Sequence, residues 1–453
     1  MTSTDSDVAA PVLLTPQPMT AADGRAARAR RPRSSLAELA EDPSRDPIAI
    51  TTADDGDRLA SVLPERYLRM SANAFSFYRG SAAIMAHDLG VLANTGIVTQ
   101  LCGDAHIGNF GVFASPERAL LFDVNDFDET HPGPFEWDVQ RLAASVVLAA
   151  RDLGLPVADQ RRIAAGAVEG YRSAIAELAD HNELEVWYER VPVERLLQAT
   201  TGGMLKRSEA NVAKARKRDG ASAVRKLTET VDGELRFRNE PPLLVRMGDI
   251  DHELVTSTLA SYSETLSADR RELLARFRFV DVAYKAVGVG SVGTRCLIAL
   301  MVGRDHQEPL ILQLKEAGSS VLEAFTAPCI VDHQGARVVR GQRLMQATSD
   351  IFLGWTTGPE GRHYYWRQLR DMKFSPDLAT MKPTGLELYA QACGQVLARA
   401  HARGGNRAAI AAYVGGGGSF VDAVTRFAEA YADRAEADFA RLVEARADGR
   451  LPV

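Results

Sequence analysis

The spacing of apolar and polar positions changes its period several times along the chain. An aromatic cluster at Phe75, Phe77 and Tyr78 leads into Ser81–Leu89, whose apolar residues recur at helical intervals. Ile97–Cys102, Phe110–Ala114 and Ala119–Val124 are short apolar runs bounded by turn residues, and predict strands. Asp138–Leu153 and Asp159–His181 predict long helices, and a charge-rich helical stretch follows from about 185 to 230. After a break at Glu240-Pro241-Pro242, Ser257–Arg278 is helical again. Near residue 279 the pattern shifts. Phe279–Lys285, Arg295–Val302 and Pro309–Lys315 predict successive antiparallel strands, with Arg337–Gln342 and His363–Leu369 extending the sheet. Leu386–Arg403 and Phe420–Ala447 return to helix.

These blocks predict an α+β chain. Residues 1–55, rich in Ala, Pro, Ser and Arg and without sustained periodicity, are expected to form a flexible N-terminal arm. Residues 56–278 form a mainly helical lobe, 279–375 a β-rich lobe, and 376–453 helices that pack back on the first lobe. A length of 453 residues suits two lobes better than one core. The arm's basic cluster, Arg25, Arg28, Arg30, Arg31 and Arg33, reads as a solvated tail rather than a nucleic-acid arm, because no aromatics interleave with it.

Charge and cysteines narrow the class. With 53 Lys+Arg against 59 Asp+Glu the net charge is −6, which offers no global attraction to nucleic acid or anionic membrane. The basic run containing Lys206, Arg207, Lys214, Arg216, Lys217 and Arg218 reads as a solvated helix face. Four scattered cysteines, none in a C-x-x-C pair, suit a reducing compartment. The longest apolar stretches fall short of the roughly 20 residues of a membrane helix, and no signal-peptide pattern opens the chain. Cytoplasm is the expected location, without a membrane partner.

Candidate chemistry sits at strand ends. Asp104 and Asn109 share one loop, Gly103-Asp-Ala-His-Ile-Gly-Asn109, and Asn125-Asp126-Phe127-Asp128 closes the next hairpin. A carboxylate, an amide and a second carboxylate so placed can converge on a divalent metal and nucleotide phosphates, which is what phosphoryl transfer needs. Gly288-Val-Gly290-Ser291-Val-Gly293 is a G-x-G-x-x-G that alone says little. Thr294 replaces the lysine of a Walker A loop, and a strand rather than a Rossmann helix follows. A kinase-type glycine loop instead joins two strands and precedes a lysine-bearing strand, which Leu310–Lys315 supplies.

The Gly103–Asn109 segment resembles the G-D-x-H-x-x-N catalytic loop of aminoglycoside phosphotransferases and choline kinases, and Asp126-Phe127 resembles their I-D-F. That resemblance implies Asp104 as catalytic base with His106 supporting it, Asn109 and Asp126 as metal ligands, and Asp138 as a buttress of the loop. Asp123 and Asp128 compete with Asp126 for the metal. Lys315 would grip the nucleotide phosphates, paired with Glu323 or with Glu316. In kinases the glycine loop precedes the catalytic loop; here the order is reversed. Leu397-Ala-Arg-Ala-His401, which resembles the helix that runs into a kinase catalytic loop, lies near the C-terminus. A two-lobed, circularly permuted kinase-like fold follows, with ATP and Mg²⁺ as cofactors.

From Arg25 to about Asp438 the chain also resembles the bacterial domain of unknown function family 2252. Phe77-Tyr-Arg-Gly80, Phe122–Glu129, Pro134–Asp138 and Tyr365–Lys373 carry that resemblance, with Arg79 and Arg370 as candidate phosphate or acceptor contacts. The expected activity is ATP- and Mg²⁺-dependent phosphorylation of a small-molecule acceptor. The alternatives are AMP transfer on the same fold, a metal-dependent phosphoesterase, and a nucleotide-binding pseudokinase or scaffold. The nine histidines include no H-x-H or H-x-x-x-H pair for a phosphoesterase site.

Overall fold

Side chains alternate between the faces of a strand, so Leu310, Leu312 and Leu314 share one face of their strand while Ile311, Gln313 and Lys315 share the other. That strand lies near the middle of a six-stranded antiparallel sheet in a mixed α+β computed structural model. The model describes residues 19–198, 209, 210, 212, 213, 216, 220–248, 252–286, 292–304, 308–369 and 372–452. The strands are β1 (Val98–Leu101), β2 (Phe110–Ala114), β3 (Leu120–Val124), β4 (His131–Pro134), β5 (Thr228–Val231), β6 (Glu234–Phe237), β7 (Leu244–Arg246), β8 (Arg278–Lys285), β9 (Cys296–Val302), β10 (Pro309–Glu316), β11 (Gly354–Thr357) and β12 (His363–Gln368). The large sheet has the order β11-β12-β10-β9-β8-β7, and the pairs β1–β4, β2–β3 and β5–β6 stand apart.

Each face of the large sheet has its own cover. Leu310, Leu312, Leu314, Tyr364 and Trp366 pack on Tyr262, Leu266 and Leu274 from the helices His252–Glu264 and Ala268–Leu274. Ile298, Leu300 and Ile311 pack on Ala223, Val224 and Phe237, so the sheet's core takes in residues from about 220 rather than starting at 279. Arg337–Gln342, expected as a strand, is part of the helix Gln334–Met345. His333 caps that helix by accepting from Ala336 N at 3.2 Å, and packing on β11 and β12 overrides the β preference of Val338-Val339. Its buried Arg337 donates to the carbonyls of Asp128, Thr130 and Gly318, which ties the helix to the loop that follows β3.

The larger core is helical. Phe135–Asp152, Val157–Ala179, Pro383–Gly404 and Ser419–Ala447 pack together, burying Val146, Tyr171, Val396 and Phe427. Two of these helices touch backbone to backbone: a Cβ on Gly394 would lie 2.0 Å from Ala167 O, so only glycine fits.

The N-terminal segment also departs from expectation. Residues 1–18 lie outside the described residues, but Ala21–Arg30 and Pro47–Thr52 are helices, with Ala27 and Leu36 buried. Arg28 donates to Ala412 O and Tyr413 O, and Arg33 to Val414 O, at the C-terminal end of the helix Arg407–Val414. These carbonyls have no intrahelical partner, and guanidinium groups satisfy them. The basic cluster is therefore largely a packing device rather than a solvated arm. Among the described residues no helix is long and apolar enough to cross a membrane.

Candidate functional site

Strand β1 pairs with β4, which brings the Gly103–Asn109 loop against the turn Asn125–Glu129. Gly103 has φ +81°, and a Cβ there would lie 2.1 Å from Glu129 O, so this approach requires glycine. Asp138, in the first turn of Phe135–Asp152, accepts from Cys102 N at 2.8 Å and Gly103 N at 3.1 Å. The same carboxylate receives His401 Nε2 at 3.2 Å, and Tyr171 Oη lies 2.9 Å from His401 Nδ1. Helices at both ends of the chain thus hold the loop. Thr99 in β1 also bridges to Gly405, at the end of the His401 helix.

Asp104 is gripped by Arg141, whose Nε donates to Oδ1 at 2.6 Å. Burial opposes its ionisation, but Arg141, His106 and Arg79 outweigh burial and hold the carboxyl below its usual range. It therefore stays ionised at neutral pH. His106 is pushed down to about 3 by burial, and its Nδ1 accepts from Gly108 N at 3.1 Å. A ring that stays neutral near pH 7, with Nδ1 already used by the backbone, braces the loop. Asn109 donates from Nδ2 to Asp104 O at 2.7 Å, which commits its amide nitrogen and orients the amide oxygen.

The three candidate aspartates separate clearly. Asp123, 1 % exposed, is bound by Arg399 and by the N–H groups of Val124 and Ala347, away from the cavity. Its metal role is corrected to a structural one, because a buried carboxylate saturated by a guanidinium has nothing left for a cation. Asp126 lines the cavity; burial works against its ionisation, yet Lys315, Arg367 and Lys373 hold it below the usual range. Asp128 lies between sheet and loop, paired with Lys315 Nζ and accepting from Tyr365 Oη at 2.5 Å.

Lys315 therefore takes its carboxylate from Asp128, and neither glutamate expected for it serves. Glu316 points to the opposite face of β10, where Arg295 and Arg362 bind it. Glu323 lies in a single 3-10 turn with its Oε2 buried and without a hydrogen-bond partner. The long helix that follows, Gln334–Met345, carries no acidic residue. Gly288, Gly290 and Ser291 lie outside the described residues, as do Arg370 and the basic residues Lys206, Arg207, Lys214, Lys217 and Arg218. Gly293, at φ +97°, ends the β8–β9 turn and accepts from Leu59 N at 2.8 Å.

A cavity of about 500 Å³ joins these groups, lined among others by Arg79, Asp104, His106, Asn109, Asp126 and Asp128. A second cavity of similar volume opens on the other side of the Asn125-Asp126 step, lined by Phe113, Asn125, Arg367 and Lys373. Lys373 is pushed down to about 7 by burial, with Arg367 adding to the effect. Arg141 was not singled out from the sequence, and Tyr365, Arg367 and Lys373 entered only as part of the Tyr365–Lys373 segment, without a role at the site. For Arg141 the available signal was a lone cation beside the apolar run Leu142–Ala150.

Among the described residues no group of three or more His, Cys, Asp or Glu is arranged to hold a metal. Among the oxygen donors that line the cavity, Asp104 and Asp128 are taken by Arg141 and Lys315, and Asn109 and Asp126 remain as hard ligands. Mg²⁺ commonly takes only one or two carboxylates from a protein and completes its shell with phosphates and water, so this sparse donor set fits Mg²⁺ delivered with a nucleotide.

Comparison with known proteins returned no match among curated proteins and none among solved structures. One family model matches residues 58–445, most of the chain. The protein belongs to that family, described as an uncharacterized protein conserved in bacteria (DUF2252).

Proposed function

We propose that this chain is an ATP- and Mg²⁺-dependent phosphotransferase with a circularly permuted kinase-like architecture, acting on a small-molecule acceptor. The observation that carries the reading is the meeting of Asp104, Asn109 and Asp126 in one cavity, with Lys315 bound to Asp128 at its wall although it lies nearly 200 residues further along the chain. Three features support a kinase-like arrangement. The glycine-rich turn joins the adjacent strands β8 and β9, the lysine follows on β10, and a helix comes next. The permuted order is supported by the contact of Thr99 with Gly405, where the His401 helix meets the strand that leads into the Asp104 loop.

In this reading the Asp104 carboxylate, held ionised by Arg141, accepts a hydrogen bond from the acceptor hydroxyl and orients it toward the γ-phosphorus. The new O–P bond forms as the bond to the β–γ bridging oxygen breaks. ADP leaves, and the hydroxyl proton passes to Asp104. With its pKa held low, Asp104 positions the hydroxyl and receives the proton late, in keeping with a loose transition state. Asn109 and Asp126 would hold Mg²⁺, which would supply positive charge to offset that of the nucleotide phosphates. Lys315, buried behind Asp128, together with Arg367 and Lys373 on the other side of Asp126, keeps the Asp126 carboxylate ionised for the metal.

The test is calorimetric titration of the full chain with ATP and Mg²⁺, beside Lys315→Ala and Asp126→Ala. Binding that requires Mg²⁺ and weakens at least tenfold in each variant, about 1.4 kcal/mol, supports the reading. A folded wild-type protein that binds no nucleotide would remove it, and would move the phosphoesterase and scaffold readings ahead.

A further inference from the structure

The Asp104 cavity extends away from the phosphate centre to a second cluster of cations. Arg66, in the helix Leu63–Met70, lines it while only 3 % exposed. Its Nε and Nη1 are buried with no hydrogen-bond partner. The nearest carboxylate oxygen, Asp55 Oδ1, stands 3.7 Å from Nη1, and the other oxygen of Asp55 is engaged by Tyr67 Oη. Leaving a guanidinium buried without hydrogen bonds is costly, so such a group usually marks a missing anion.

Arg79 repeats the pattern nearer the reaction centre. Its Nε is buried without a partner, and a Cβ on Gly108 would lie 3.5 Å from it, so the guanidinium lies against the Asp104 loop. Burial pushes its pKa down, opposed only by Asp104 and Asp126 acting through space. Asp104 is held by Arg141, and Asp126 faces the charges of Lys315, Arg367 and Lys373; of the other cavity acids, Asp128 is held by Lys315 and Asp54 by Arg58. Arg66 and Arg79 are thus cations of this cavity that no side chain neutralises by hydrogen bonding.

The same cavity is lined by Ala82 and Ala83, the first residues of the nine-residue helix Ala82–Gly90. Ser81 makes no side-chain cap and instead donates from Oγ to Tyr78 O at 3.2 Å. Ile84 N bonds back to Ser81 O at 3.2 Å, but the Ala82 and Ala83 N–H groups precede the first helical hydrogen bond, and with the helix dipole they favour an anion. Two guanidinium groups with unused N–H donors, Nε and Nη1 of Arg66 and Nε of Arg79, near an uncapped helix start make a phosphate-shaped site, since a guanidinium fork matches phosphate oxygens in pairs.

We infer that this end of the cavity, formed by Arg66, Arg79 and the first turn of Ala82–Gly90, binds the phosphate group of the acceptor, so that the acceptor is a phosphorylated small molecule carrying a free hydroxyl. This assignment of the acceptor rests on the phosphotransferase reading; the anion site itself does not. The acceptor's phosphate sits at the helix start, its hydroxyl reaches Asp104, and the product carries a second phosphate.

The test uses the full chain and inorganic phosphate, titrated calorimetrically with and without a saturating complex of Mg²⁺ and a non-hydrolysable ATP analogue. Sodium chloride and sodium acetate at equal ionic strength serve as controls. One phosphate should bind with the analogue already in place, at least tenfold more weakly in Arg66→Met and in Arg79→Gln. The analogue's own affinity should be unchanged in Arg66→Met. Removal of an unpaired buried charge should also leave Arg66→Met at least as heat-stable as wild type without phosphate, which checks its folding. Should that variant not fold, Arg79→Gln carries the same comparison.

Phosphate that competes with the analogue would show that the cations serve the nucleotide's own phosphates and would overturn the inference. Phosphate binding that survives both substitutions, or none in wild type, would also overturn it. If phosphate binds through Arg66 but the analogue does not bind, the anion site stands and the acceptor assignment falls with the phosphotransferase reading.

Discussion

Lys315 Nζ is paired with the carboxylate of Asp128, and Tyr365 on the neighbouring strand β12 donates to the same carboxylate at 2.5 Å. One loop residue thereby fastens two adjacent strands of the sheet to the turn that follows β3. The partners differ in burial: Lys315 is 3 % exposed and Asp128 27 %. Asp128→Ala strands a buried ammonium and should cost about 3–5 kcal/mol. Lys315→Met leaves a carboxylate that water reaches and should cost less. Urea unfolding of both variants and of the double variant checks the asymmetry, and equal costs would contradict it.

Asp123 and Arg399 form a second buried pair, 1 % and 3 % exposed, between β3 and the Pro383–Gly404 helix. Asp123→Ala should lower stability by about 3–5 kcal/mol, because it leaves Arg399 unpaired in the core. Asp123→Asn combined with Arg399→Met should recover part of that loss. Mg²⁺-dependent nucleotide affinity, measured below the melting point, should be unchanged in the double variant. A loss of Mg²⁺ dependence there would return Asp123 to the metal site.

Glu129 is raised from 4.5 to about 7 by burial, against the N–H of Val321 and the charge of Arg337, with Asp128 and Asp104 adding to the rise. A carboxyl whose folded pKa lies above its unfolded one holds a proton in the folded state that the unfolded chain releases. Its cost to stability is absent below about pH 4.5, grows as pH rises toward 7, and levels off above; a shift from 4.5 to about 7 is worth about 3 kcal/mol. Glu129→Gln keeps an oxygen for Val321 N and should stabilise the protein by up to that amount at pH 8, with little effect at pH 4.5. Urea titrations at both pH values in metal-free buffer measure it, and a pH-independent difference would refute the assignment.

The strands β8, β9, β10 and β12 were legible because their alternation and glycine-rich turns are local signals. The helix Gln334–Met345 was not, because Val338-Val339 favours a strand and only packing on β11 and β12 decides otherwise. The arginines near the N-terminus looked like a solvated tail for the same reason. Their partners are carbonyls at Ala412, Tyr413 and Val414, nearly 400 residues away. Asp104, Asn109 and Asp126 could be singled out from short-range spacing, whereas the choice of Asp128 over Glu323 as the partner of Lys315 could not.

What the sequence determined by itself is what short stretches of chain decide: the period of most elements, and a carboxylate–amide–carboxylate set at strand ends. The tertiary structure alone decided which charges meet. It took Asp123 out of the cavity by giving it Arg399, turned Glu316 to the opposite face of β10, and left Nε and Nη1 of Arg66 and Nε of Arg79 without hydrogen-bond partners. The reason is physical. A buried ion pair forms between side chains that folding brings within a few ångströms, and that nearness depends on how elements pack rather than on their spacing along the chain.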